Sequence, residues 1–276
     1  MDRDISFVSH GEDARTSSKR CLDSAQNDKA LDMTEKLFPA LDVYHDTMPH
    51  SAAMNMAIDE ALLECAKIPS IRFYRWDHAA LSFGYFGRFA EVANYAARRD
   101  LVRRWTGGGI VLHEDDLTYS IVITANHPVF AKSSMSIYAA VHKAIRDALA
   151  ANGQRAELAT VAALYERQNE IDSAVADRRY STLREGNTGA CFSNPVRADV
   201  MLSGRKIAGG AQRWTRAGLL HQGSIQHVDL GNGLAERFAK ELARQWIERK
   251  LDETILNRAF EIAVQKYETA AWLRRR

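Results

Sequence analysis

Three stretches of this 276-residue chain join residue types that do chemistry to residues that leave room for a ligand. The first is Arg103-Arg104-Trp105-Thr106-Gly107-Gly108-Gly109, followed by His113. Consecutive glycines let the backbone approach a ligand and take positive φ angles. The N–H groups so freed can line an anion or carbonyl site, with two arginines beside it. The alternative is a flexible hairpin loop. The second stretch is Gly204-Arg205-Lys206-Ile207-Ala208-Gly209-Gly210-Ala211-Gln212. Strict alternation along a strand turns Lys206 and Ala208 to one face and Arg205 and Ile207 to the other. A lysine ahead of a glycine pair can hold a carbonyl or phosphate oxygen as a compact positive charge; otherwise it is a solvated surface lysine. The third is Cys191, in Gly189-Ala190-Cys191-Phe192-Ser193-Asn194-Pro195. A loop thiol becomes a nucleophile when a nearby cation lowers its pKa, and Lys206, His113 or His221 could supply that charge. Cys65 suits the inert, buried fate common for free cysteine, and Cys21 is incidental. Asp115-Asp116 reads as a turn before a strand. No Ser-His-Asp elbow, P-loop or GxGxxG is present.

Positioning these residues requires strands and helices around them. Met54, Ile58, Ala61 and Leu62 recur at helical spacing. Residues 71–76 and 80–84 alternate apolar and polar side chains and read as strands, with Asp77-His78 in the turn. Residues 102–105 lead into the glycines and 110–113 return from them. Residues 117–123 are rich in β-branched and aromatic types and form a further strand. A helix runs from Ser136, as N-cap, to about Ala151. Strands follow at 199–202 and 205–208, around a Ser203-Gly204 turn, and again at 219–225. The C-terminal part, from Gly233 to Arg276, reads as helical. Residues 163–190 read as a polar, mobile insertion. The expected fold is α+β, a mixed or antiparallel sheet flanked by helices. The expected organisation is a flexible extension over 1–36 and one catalytic domain over 37–276.

Composition narrows the classes of function. With 37 basic and 35 acidic residues the net charge is +2, and 46% of the chain is hydrophobic. Scattered rather than clustered cations argue against a nucleic-acid partner. No apolar run reaches the roughly 20 residues a bilayer span needs. Three distant cysteines without CxxC or zinc-ligand spacing suit a reducing compartment. The expectation is a cytoplasmic protein with no metal site and no membrane contact.

In order along the chain, these motifs resemble the biotin/lipoate ligase and octanoyltransferase superfamily. Arg103 to Gly109, His113 and Leu117-Thr118-Tyr119-Ser120 resemble its ligand loop. Gly204 to Gln212 with His221-Gln222-Gly223-Ser224-Ile225 resembles its lysine segment. Asn55 to Leu62 and Arg72-Phe73-Tyr74-Arg75-Trp76 match its opening helix and strand. The resemblance implies a biotin/lipoate ligase-type catalytic fold. It also implies transfer of an octanoyl group from acyl carrier protein to a lysine of a lipoyl-acceptor protein, such as a glycine cleavage H protein or a 2-oxoacid dehydrogenase E2 domain. Cys191-Phe192 stands where the Gram-positive type of octanoyltransferase carries its nucleophile. The implied catalytic residues are Cys191 and Lys206. The implied substrate-binding residues are Arg103, Arg104, Thr106, Gly107, Gly108, Gly109, His113, Gly209, Gly210 and Ala211. No cofactor is needed for that reaction. Two positions depart from the type: Gly109 replaces an arginine, and Gly210 a common serine. Three glycines are more typical of the ATP- and magnesium-dependent lipoate–protein ligases, which form the alternative reading. A non-catalytic binder of acyl ligand or carrier is the third.

Overall fold

The computed structural model describes residues 36–163 and 195–275. The extension read over 1–36, apart from Lys36, lies outside the described residues. So do Cys21, Cys191 and all but the first residue of the insertion read over 163–190.

Eight strands form one mixed sheet in the order β11-β1-β2-β6-β10-β9-β8-β7. They are β1 Phe38–His45, β2 Ser70–Tyr74, β6 Leu117–Thr124, β7 Glu157–Leu158, β8 Val200–Leu202, β9 Arg205–Trp214, β10 Gly218–Ile225 and β11 Ala243–Arg249. β1 runs parallel to both β2 and β11, and the remaining pairs are antiparallel. Alternation along β6 divides its side chains between the two faces. Tyr119, Ile121 and Ile123 enter one core and Val122 the other. Helices α2 (Ser134–Ala150) and α3 (Leu234–Leu242) close the first core. Helices α1 (Ala52–Cys65) and α4 (Glu253–Ile262) close the second.

A second sheet of three short strands carries the glycine loop. It comprises β3 (Ala80–Phe83), β4 (Asp100–Arg103) and β5 (Val111–His113), in the order β4-β3-β5. β4 and β5 do not pair with each other. Each pairs with β3, the first parallel and the second antiparallel. The loop over 104–110 is therefore a crossover past the end of β3, not the hairpin turn its flanking strands suggest. Likewise β2 and β3 lie in different sheets, so Asp77-His78 does not close a hairpin.

Three further expectations change. The N-cap of α2 is Ser133, whose Oγ accepts from the Ser136 N–H at 3.1 Å. The capping serine stands one turn earlier than periodicity suggested. The C-terminal part is not continuously helical: α3 runs directly into β11, an edge strand exposed after Ala243. Its sequence, Ala-Arg-Gln-Trp-Ile-Glu-Arg, carries the charges that an edge tolerates and that blur a strand signal. After α4 the chain makes a π-helical turn, Ala263–Tyr267, and a short helix α5, Ala270–Leu273. β1 places Phe38, Leu41 and Val43 fully buried in the core, in a stretch whose sequence shows no regular alternation.

Candidate active site

The glycine loop is held from below. Gly84, just past β3, packs so closely that a Cβ there would lie 2.0 Å from the Gly108 carbonyl oxygen. Arg104 is buried and donates through Nη2 to the carbonyls of Gly107 (3.1 Å) and Gly109 (2.7 Å). Gly108 takes the positive φ of +85° that glycine accommodates. Thr106 is fully buried and donates to Gln222 Oε1 at 2.8 Å. Gln222 Nε2 in turn donates to Asp59 Oδ2 at 2.7 Å, so the loop is tied to α1 through β10. Asp59 also accepts from Arg72 and Ser120. Arg103 serves another purpose. Its guanidinium donates to the carbonyls of Tyr85, Gly87, Leu273 and Arg275, pinning the C-terminal residues to β4. It is not among the residues lining the cavity described below.

Beneath Arg104 runs a chain of buried polar groups. Arg104 Nη1 donates to Ser82 Oγ at 2.6 Å, and Ser82 Oγ lies 2.7 Å from His113 Nε2. His113 Nδ1 donates to Asp116 Oδ2 at 2.8 Å, under the stacked Trp76 ring. Thr118 already accepts from Trp76 Nε1 and Ser224 from Gln226 Nε2, so both hydroxyls donate to Asp116. Burial alone would raise the Asp116 carboxyl. The pull of His113 and the three hydrogen bonds outweigh it and hold the pKa at about 2. Asp116 is thus a buried anchor and not a residue of an exposed turn. The order Ser82–His113–Asp116 is that of a nucleophilic triad. Here, however, Ser82 is fully buried and Arg104 sits on its oxygen, so the chain acts as a strut under the loop.

Lys206 is buried, not solvated. Its Nζ lies 2.8 Å from Asp199 Oδ2, with both side chains shielded from water. Asp199 also accepts from Tyr138 Oη at 2.5 Å and from the Val196 N–H at 2.6 Å. Tyr138 Oη in turn accepts from the Gly210 N–H. The alternation expected along β9 fails at this point. Val200 stands opposite Ala208 and Met201 opposite Lys206, leaving Ile207 as an extra, bulged residue. Ile207 and Ala208 consequently enter the same core. Lys206 is turned over Gly209 instead of sharing a face with Ala208. A Cβ on Gly209 would lie 2.7 Å from its Nζ, so only glycine leaves the lysine its place.

A cavity opens between these parts. Its floor crosses the large sheet through the paired row Gly209–Ser224–Thr118–Tyr74. At about 4.8 Å per strand, three spacings make it about 14 Å long. Gly108 and Arg104 roof it, and Met56, Trp76 and His113 stand at its sides. Of the residues singled out from sequence, Arg104, Gly108, His113, Gly209, Gly210 and Ala211 line this cavity. Lys206 touches its Gly209 end, whereas Thr106, Gly107 and Gly109 shape the loop. Ser82, Asp199 and Tyr138 have no signal in the sequence, Asp116 reads there only as part of a turn, and Gln222 and Ser224 stand in the family's lysine segment with no role assigned, because such side chains carry no motif until partners from distant strands surround them. Cys65 is half-buried, and burial pushes its thiol pKa up. Among the described residues, no three His, Cys, Asp or Glu side chains are placed to hold a metal ion. Nor is any helix there long and apolar enough to cross a membrane.

The chain matches the family model of the lipoyl protein ligase A/B catalytic domain over residues 51–241. The octanoyltransferase LipM of Bacillus cereus is 35% identical to it over 189 residues, 65% of this chain and 63% of that protein. LipM of Lysinibacillus sphaericus is 33% identical over 213 residues, 74% of this chain and 72% of that protein. The chain thus spans less than two thirds of the length of the first of these relatives. Two solved structures share the fold. A lipoate-protein ligase A bound with ATP superposes with a TM-score of 0.57 at 22% identity, covering 86% of this chain and 98% of that one. The archaeal bi-partite lipoate protein ligase of Thermoplasma acidophilum, solved with its E2 lipoyl domain, gives 0.56 at 20% identity, covering 86% and 96%.

Proposed function

Because the chain belongs to the lipoyl protein ligase A/B catalytic-domain family, we propose that it transfers an octanoyl group from acyl carrier protein to a lysine of a lipoyl-acceptor protein. The observation that carries this reading is a buried, ion-paired Lys206 at one end of a cavity whose floor row, Gly209, Ser224, Thr118 and Tyr74, spans about 14 Å. Such a cavity is long enough for an extended eight-carbon chain. Burying that chain contributes roughly 0.8 kcal/mol per methylene. The LipM relatives support octanoyl as the cargo.

In this reading the Cys191 thiolate attacks the carbonyl carbon of the octanoyl thioester, and the carrier's thiolate leaves. The Lys206 ammonium stabilises the intervening oxyanion, aided by backbone N–H groups of the Gly107–Gly109 loop. The ε-amine of the acceptor lysine then attacks the Cys191 thioester, loses a proton and keeps the acyl group as an amide, which frees the thiolate. Cys191 enters by its sequence position alone. Acyl carrier protein as donor and an H-protein or E2 domain as acceptor are part of the same proposal.

Intact-mass analysis after mixing the protein with octanoyl carrier protein tests it. An octanoyl adduct mapped to Cys191, and absent from Cys191→Ser, is expected. The run of three glycines favours a second reading, an ATP-dependent lipoate–protein ligase. There Lys206 would contact the acid's carboxylate, and ATP with magnesium would supply the activating group. Attachment of free lipoate that requires ATP and survives Cys191→Ala would establish that reading and overturn the transferase.

A further inference from the structure

At the edge of the glycine loop, three cations and three aromatic rings alternate in a closed circle. The Arg213 guanidinium lies 5.1 Å from the Tyr85 ring and 5.2 Å from the Trp105 ring. Lys266 Nζ lies 4.1 Å from Trp105 and 4.5 Å from Trp272. Arg275 completes the circle, 5.5 Å from Trp272 and 4.3 Å from Tyr85. Ring contacts of this kind steady a cation but do not neutralise it. Among the described residues, Glu60 is the only carboxylate bonded to the circle, and it is divided between Lys266 Nζ and Tyr267 Oη, each at 2.6 Å. Among the described residues, Arg213 and Arg275 form no ion pair, and Arg213 Nε is buried without a hydrogen-bond partner. Burial, reinforced by the Arg213 charge, outweighs Glu60 and depresses the Lys266 pKa. Among the described residues, three cations held together with one counter-charge leave an excess of positive charge and unused in-plane N–H donors. Those are the features that recognise a phosphate.

The circle's place indicates whose phosphate. Trp105 adjoins Thr106 of the loop, and Arg213 lies two residues beyond Ala211, which lines the cavity. The Lys206 ammonium lies over Gly209, and from Gly209 to Arg213 the path along β9 is about 13 Å at roughly 3.3 Å per residue. An acyl-adenylate joins its phosphorus to the acyl carbon through a single oxygen, so its phosphate would sit at Lys206. A thioester on a long phosphodiester-linked arm would instead put its carbonyl at Lys206 and its phosphate far along the strand. We propose that Arg213, Lys266 and Arg275 form a seat for the phosphate of the donor's thiol-bearing arm. The inference rests on the transferase reading above for the identity of the donor.

Octanoyl-phosphopantetheine and octanoyl-pantetheine, which differ only in the phosphate, provide the test. The wild-type protein is expected to use the phosphorylated donor with a kcat/KM higher by about tenfold or more. In Arg213→Gln and in Arg275→Gln that ratio falls toward one, whereas Arg258→Gln, on the α4 surface, keeps it. A wild-type ratio of one, or a ratio unmoved by both substitutions, overturns the seat. Should the wild-type protein turn over neither thioester, the transferase reading fails, and calorimetric titration then judges the seat separately. Saturable binding of phosphopantetheine that is lost in Arg275→Gln supports it, and no binding overturns it. Binding of ATP but not of phosphopantetheine assigns these cations to a nucleotide and overturns the proposed arm.

Discussion

Asp199 shows how much one carboxylate can organise. It holds the buried Lys206, receives the buried Tyr138 hydroxyl and fixes the Val196 N–H of the neighbouring turn. The ammonium is thereby kept in one position over Gly209, available to an oxyanion but not free to wander. Removing the charge takes the Asp199 counter-charge from a buried cation, which costs about 3–5 kcal/mol where such pairs have been broken. Asp199→Asn is therefore expected to lower the unfolding free energy by about that amount in urea titrations. The double variant Asp199→Asn/Lys206→Met should recover a large part, because neither charge is then buried. Equal losses in the single and double variants would mean that the pair contributes nothing as a pair.

The elements matter chiefly for where they break their own periodicity. The bulge at Ile207 in β9 decides which way Lys206 points. The order β4-β3-β5 makes the glycine stretch a crossover whose underside rests on Gly84. That contact is backbone against backbone, so an added methyl has no flexible side chain to displace. Gly84→Ala should destabilise the protein by about 1–3 kcal/mol, the usual range for overpacking. It should also lower octanoyl transfer through displacement of Gly107 and Gly108. Thermal melts and transfer kinetics on one preparation check both, and a fully active, equally stable variant would show that the loop does not rest there.

At the level of the whole molecule, burial of His142 and His221 ties stability to pH. Burial holds both rings neutral down to about pH 3. His142 Nδ1 is occupied by the Ala198 carbonyl at 2.8 Å. An unfolded histidine binds its proton near pH 6.5. Between pH 6.5 and 3 the unfolded chain therefore takes up protons that the folded chain refuses. This stability is complete above pH 6.5 and disappears as the pH falls, at up to about 2.7 kcal/mol per pH unit for two protons. Asp116, lowered to about 2, adds a further loss as the pH falls from its ordinary value toward 2. Urea unfolding at pH 7.5, 6, 5 and 4 should give steadily smaller free energies, and a flat profile would contradict the burial of both rings as neutral groups.

Much of this was legible in the chain, and the boundary has a physical basis. Composition and ordered motifs were enough for the α+β class, the family and six of the residues that line the cavity, Arg104, Gly108, His113, Gly209, Gly210 and Ala211. Glycines beside arginines, and a lysine before a glycine pair, are local arrangements whose chemistry survives without knowledge of their neighbours. Helix α1 followed from apolar periodicity and strand β6 from its β-branched and aromatic content, each a property of one element alone. Only the tertiary structure decided which arginine serves the cavity: Arg104 lies under the loop, while its neighbour Arg103 is spent on carbonyls of the C-terminal residues. The burial of Lys206 against Asp199, the strut from Arg104 to Asp116 and the cation–aromatic circle likewise join residues from separate elements. Their energies arise from desolvation and from partners brought together by the fold, and neither is written in the order of residues along one strand.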